Sequence, residues 1–244
     1  MRTRPQDKVV VFLAGHTGVF NTNRFCLLLP KFQFPAEAPI VVAARGAAPP
    51  VNAPLDPEAV LPYSVVALNL MRLKALDRLV IVDACQAEAI LSDPQVDAIQ
   101  EWMEVNTRKS RTSYLMAARR GELAFEVDPL GHGLFTYTLL RGLGSLEPGK
   151  EPQQIAKLSL PPNADFNHDG IVTTAELYAY VNQHLKEIAA VFPDLVASRE
   201  AEELPGRPRT PAGMLEQHPV LQSFGTPFPL IPLISQPTTR AAGN

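Results

Sequence analysis

The chain has 244 residues, enough for one large domain or two small ones, and its 46% hydrophobic and 19% charged residues exclude disorder over most of its length. A net charge of −3 gives no basic field for a phosphate backbone, so nucleic acid is not an expected partner. No apolar run reaches the ~18–20 residues of a membrane span, no secretory leader follows Met1, and two cysteines are too few for a disulfide framework. The expectation is a reduced, cytoplasmic protein without a membrane partner.

Proline is the anomaly, at 24 residues, about twice the usual ~5%. Seven fall between Pro35 and Pro62 and nine between Pro193 and Pro237, and neither stretch can be mostly helix or central strand. The chain therefore divides into a body over 1–191 and a proline-rich tail over 192–244. In chain order, Val9–Leu13 is a continuous β-branched and aromatic run that suits a strand buried on both faces. Phe25–Leu29 and Ile40–Ala43 are shorter strand candidates. Asp56-Pro57-Glu58 predicts a helix start, interrupted at Pro62 and resuming through Leu73. Leu79–Val82 and Ser113–Ala117 read as further buried strands. Gly131-His132-Gly133 opens a helix over Phe135–Leu143, and Leu177, Tyr180, Val181, Leu185 and Ile188 mark another by their spacing. Strands alternating with helices predict an α/β fold, a mostly parallel sheet with helices on both faces. In such sheets ligand sites collect at the carboxyl ends of the strands.

Two strands run into reactive residues. The first leads to Ala14-Gly15-His16-Thr17 and the second to Asp83-Ala84-Cys85. If the strands are parallel neighbours, His16 and Cys85 face each other across one sheet edge. A free thiol has a pKa near ~8.5, so a histidine that takes its proton and later returns it to a leaving amine would make it a working nucleophile. Each residue alone has a plainer reading, Cys85 as a small core hydrophobe and His16 as a polar loop residue. Together, at two strand ends, they point to catalysis, whereas Cys26 reads as core.

These segments resemble the caspase-like cysteine peptidases, and within them the bacterial metacaspase and orthocaspase branch. The resemblance rests on Asp7-Lys-Val-Val-Val-Phe-Leu-Ala-Gly-His16, Leu79-Val-Ile-Val-Asp-Ala-Cys85, Ala117-Ala-Arg-Arg-Gly-Glu-Leu-Ala-Phe-Glu126 and Gly131-His-Gly-Leu-Phe-Thr-Tyr137, in the family's order. It implies a cysteine endopeptidase acting on peptide or protein substrates, with His16 as general base and acid and Cys85 as nucleophile. The oxyanion would be held by the backbone N–H groups of Thr17 and Cys85. Asp83 would sit in the first specificity pocket and select Arg or Lys before the cleaved bond, since a guanidinium can pair with a carboxylate through two bonds. The strand-end alternative for Asp83 is a carboxylate bonded to nearby backbone N–H groups.

Three features depart from the family pattern. Thr17 stands where glycine is usual, and Glu88 stands where a glycine commonly follows the cysteine, adding negative charge near the thiol. The family places a strand–helix–strand unit before the histidine strand. Its absence predicts an unpaired apolar edge at Val9–Leu13, with residues before Met1, another domain or a partner chain supplying the missing strands. The second functional reading is accordingly a catalytically inactive caspase-like module for protein interaction or signalling.

A second motif is independent of the first. Asp165, Asn167, Asp169, the Ile171 carbonyl, Thr173 and Glu176 fall at the positions of a twelve-residue Ca²⁺ loop with Gly170 at its turn. The same letters also fit a helix start, because Thr173-x-x-Glu176 is a capping box, and the two readings are compatible since position 9 of such a loop caps the exiting helix. Read as calcium ligation, it gives half of an EF-hand and Ca²⁺ as the cofactor, with no organic cofactor expected. His168 is expected to be solvated, His132 to serve packing or a local hydrogen bond, His184 to be exposed, and Trp102 to lie in a core.

Overall fold

A computed structural model describes residues 3–20, 24–31, 57–85, 87–96, 98, 111–120, 122–147, 149, 151–193, 217–223 and 226–232. The Ile40–Ala43 strand, the Asp56 cap and the Trp102 core position lie outside the described residues. Eleven strands are present among these residues: β1 Lys8–Ala14, β2 Thr17–Phe20, β3 Arg24–Leu28, β4 Val60–Pro62, β5 Asp77–Asp83, β6 Arg111–Met116, β7 Glu126–Val127, β8 His132–Gly133, β9 Ile171–Thr173, β10 Val220–Gln222 and β11 Pro229–Pro232. The α-helices whose bounds lie among the described residues are α1 Tyr63–Met71, α2 Leu134–Gly142, the single turn α3 Gln153–Ala156, and α4 Thr174–Ala189.

The fold is α/β around a mixed, mostly parallel sheet in the order β1-β5-β6-β10. β1, β5 and β6 run parallel, and β10 closes the far side antiparallel to β6. Alternation along β5 and β6 sends side chains to two cores. Leu79, Ile81 and Leu115 pack with α2 and α4, while Val80, Val82, Tyr114 and Met116 pack with α1 and Phe25. The central strands are thus buried on both sides, as continuous apolar runs require.

The reading of β1 as doubly buried is corrected. Its residues alternate between half-buried and exposed, with Val10 51% and Phe12 46% accessible. Among the described residues β1 pairs with β5 alone, which places it at the sheet's edge. The expected helix start at Pro57 is also corrected. Residues 57–59 form a turn, Val60–Pro62 pairs with β3, and α1 begins immediately after Pro62. A proline at that boundary loses nothing, since the first helical N–H groups have no intrahelical partner. The Phe25 region is a strand as expected, but in a separate three-stranded antiparallel sheet, β2-β3-β4. Inside the region read as tail, β10 joins the central sheet and β11 pairs with β9.

Helix α4 starts at a complete capping box: Glu176 Oε2 accepts from the Thr173 N–H at 3.0 Å, and Thr173 Oγ1 accepts from the Glu176 N–H at 3.3 Å. His184, expected to be exposed, is 3% accessible. It lies on the same stripe as Tyr180 and Ile188, its ring edge-on to Tyr180 at 4.6 Å. Helical spacing carries it inward with its neighbours.

Candidate active site

The register of β1 on β5 places Ala14 opposite Asp83. Two residues further along each parallel strand stand His16 and Cys85, so both leave the sheet at one level. Gly15 makes the departure possible at φ 143, a region L side chains rarely adopt. Its N–H bonds the Asp83 carbonyl at 3.2 Å, the last rung of the ladder. The chain then turns into β2, and the His16 carbonyl accepts from the Leu28 N–H at 2.9 Å. That bond makes Thr17 and Leu27 a non-hydrogen-bonded antiparallel pair, so the Thr17 N–H points away from β3.

His16 and Cys85, sixty-nine residues apart in sequence, line one open cleft of about 200 Å³. His16 is exposed and Cys85 half-buried. The departure at Thr17 acquires a physical account here, because its hydroxyl donates to the Cys85 carbonyl at 2.6 Å. One side chain thereby ties the histidine loop to the cysteine loop, which glycine could not do. On the other side, Cys85 Sγ accepts from the Ala124 N–H at 3.4 Å, and the thiol faces the Ala124 carbonyl at 3.9 Å. Cys26 contrasts in every respect. It is fully buried, and burial pushes its thiol up to about 11.

Asp83 forms part of the same cleft, where the Thr136 hydroxyl donates to its Oδ2. Burial raises its pKa; the Thr136 bonds oppose the shift and the nearby Glu126 carboxylate adds to it. Gly133 is required by this carboxylate, since a Cβ there would lie 2.7 Å from Asp83 Oδ2. Glu126 and the exposed His132 also line the cleft. Antiparallel pairing of β7 with β8 brings them there. Glu88, by contrast, turns its carboxylate to the Arg120 N–H at 3.0 Å. Sequence reasoning missed Ala124, Glu126, Thr136 and the cleft position of His132, although all lie within the segments that carry the resemblance.

The acidic loop is folded on itself. Asp165 accepts from the N–H groups of Asp169 at 3.1 Å and Gly170 at 2.9 Å, Asn167 accepts from Asp169 at 2.9 Å, and Asp169 accepts from Ile171 at 2.8 Å. Gly170 has φ 81, and the exposed His168, with φ 60, shares the left-handed turn. Glu176 is engaged in the helix cap. Among the described residues, no cluster of three or more His, Cys, Asp or Glu side chains is arranged to hold a metal ion, and no helix is long and apolar enough to cross a membrane.

Comparison with family models, with curated proteins and with solved structures gives no match.

Proposed function

We propose that the chain is a caspase-like cysteine endopeptidase that cleaves after Arg or Lys. The observation that carries the reading is the convergence of His16 and Cys85 on one cleft from the carboxyl ends of neighbouring parallel strands. His16 takes the Cys85 proton, and the thiolate attacks the scissile carbonyl carbon. The resulting oxyanion is held by the N–H groups of Cys85 and Thr17, the latter turned away from the β2–β3 ladder. The intermediate collapses by breaking the C–N bond, and His16 returns the proton to the leaving amine. Water, deprotonated by His16, then attacks the thioester, releasing the carboxylic acid product and restoring the thiol. A basic side chain suits the pocket, because Asp83 and Glu126 line it together and the burial of Asp83 makes a cationic partner favourable.

The deciding experiment is reaction with an arginyl chloromethyl ketone, followed by peptide mapping. Modification of Cys85 with Cys26 untouched, abolished in His16→Ala, is the expected result. An unlabelled Cys85 in a folded chain would sink the peptidase reading and leave an inactive interaction module in its place. For Ca²⁺, the spacing of loop oxygens and the left-handed turn at Gly170 support a place for the ion among Asp165, Asn167 and Asp169. Glu176 would join them only by leaving its cap.

A further inference from the structure

The Cys85 thiol rests against the Ala124 peptide, and a segment far along the chain holds that peptide's neighbours. Gln217 is fully buried. Its Oε1 accepts from the Phe125 N–H at 3.1 Å, and its Nε2 donates to the Ala117 carbonyl at 3.2 Å. These partners fix the amide orientation, because a flipped side chain would set NH₂ against N–H and oxygen against oxygen. Ala117 is itself bonded through its N–H to the Val82 carbonyl at 2.9 Å, at the end of the cysteine strand. Gln217 therefore spans from that strand end to the peptide bond joining Ala124 to Phe125.

The next residue anchors the other end of the same loop. The His218 N–H donates to Glu122 Oε2 at 2.8 Å, and His218 Nδ1 lies 2.8 Å from Glu122 Oε1. Two residues further on, β10 starts on the edge of β6, so the anchor is built into the central sheet. With Glu122 and Phe125 both held, the intervening Ala124 has little freedom to move away from the sulfur.

We propose that Gln217 is a positioning residue that sets the reactivity of Cys85 by holding the Ala124 N–H against its sulfur. The role as nucleophile rests on the peptidase reading, but the effect on the thiol does not. A donor aimed at the sulfur favours the thiolate over the thiol. Releasing the donor leaves the thiol protonated to higher pH, and the pool of attacking thiolate shrinks.

The test is the pH profile of Cys85 alkylation by iodoacetamide, read by peptide mapping on the full chain, with buried Cys26 as internal reference. Gln217→Met keeps the side chain's length and loses both hydrogen bonds. The midpoint of the Cys85 profile is expected to rise by about one pH unit, with the rate at pH 7 falling about tenfold. A general loosening of the fold would instead expose Cys26 to label and leave the Cys85 midpoint in place. A folded Gln217→Met protein with the wild-type midpoint overturns the proposal. If Gln217→Met does not fold, Glu122→Gln, which weakens the His218 anchor and the Arg119 N–H bond to the same carboxylate, is expected to shift the midpoint in the same direction by a smaller amount. An unchanged midpoint there overturns it equally. Iodoacetamide needs no substrate pocket, so wild-type alkylation with no reaction toward the arginyl ketone would refute the peptidase reading while the Gln217 comparison still stands on its own.

Discussion

Thr17 and Asp83 are single side chains whose chemistry is set by what they touch. The Thr17 hydroxyl bonds the Cys85 carbonyl, and valine has the same shape without the donor. Thr17→Val is expected to cost about 1 kcal/mol of stability, lowering Tm by about 2–4 °C, and to lower kcat/KM roughly fivefold as the two loops lose their tie. Calorimetry and peptidase kinetics check both, and an unchanged Tm would show that the bond contributes nothing net. For Asp83 the sign follows from its raised pKa. The folded state keeps the Asp83 proton to higher pH than the unfolded chain, so folding loses stability as pH rises from the ordinary value of 3.8 through the raised one. Asparagine does not titrate and can still accept from Thr136. Asp83→Asn is therefore expected to melt at or above the wild-type temperature at pH 7, while KM for an arginyl peptide rises about 50-fold with the charged pairing gone. A variant that melts lower and still prefers arginine would refute both the burial account and the pocket assignment.

At the scale of elements, β5, β6, α2 and α4 were legible because each carries a long, unbroken signal, either an apolar run or a helical stripe. The edge position of β1 is not legible, since Val9-Val-Val-Phe-Leu13 reads identically whether its alternate face meets a core or solvent, and only sheet order decides that. The burial of His184 is hidden for the opposite reason, a polar residue carried inward by an apolar stripe. The capping-box and Ca²⁺ readings of Thr173 and Glu176 share the same letters and separate by measurement. Thr173→Ala removes the cap's acceptor and is expected to destabilise the chain by about 1 kcal/mol with or without the ion. Ca²⁺ at millimolar concentration is expected to raise the wild-type Tm, since a ligand of the folded state stabilises it, and to have no effect on an Asp165→Asn, Asp169→Asn variant. Identical melting in Ca²⁺ and in chelator would end the calcium reading and leave the capping box as the motif's whole function.

Across the whole molecule, the site depends on segments that the sequence sets far apart. His16, Cys85, Ala124 and Gln217 come from four separate stretches, and no local pattern reports that Gln217 meets Phe125. Proline density marked everything after Phe192 as tail, because prolines argue against central strands. Among the described residues β10 lies on a sheet edge and β11 begins and ends at proline. Proline density says nothing of what such a segment packs against. Phe228 is 6% accessible, joins the core formed by α2, α4 and one face of the central sheet, and makes two hydrogen bonds with Thr174: the Thr174 N–H donates to the Phe228 carbonyl at 3.1 Å, and the Phe228 N–H donates to the Thr174 side-chain Oγ1 at 3.3 Å. A dispensable tail would tolerate Phe228→Ala. A segment that completes the core would lose the transfer energy of the ring and leave a cavity, about 3–5 kcal/mol together. For a chain of this size that is a fall in Tm of about 10 °C, measurable by calorimetry. An unchanged Tm would mean that the core beneath α4 closes without the segment, and that β11 rests on β9 without supporting it.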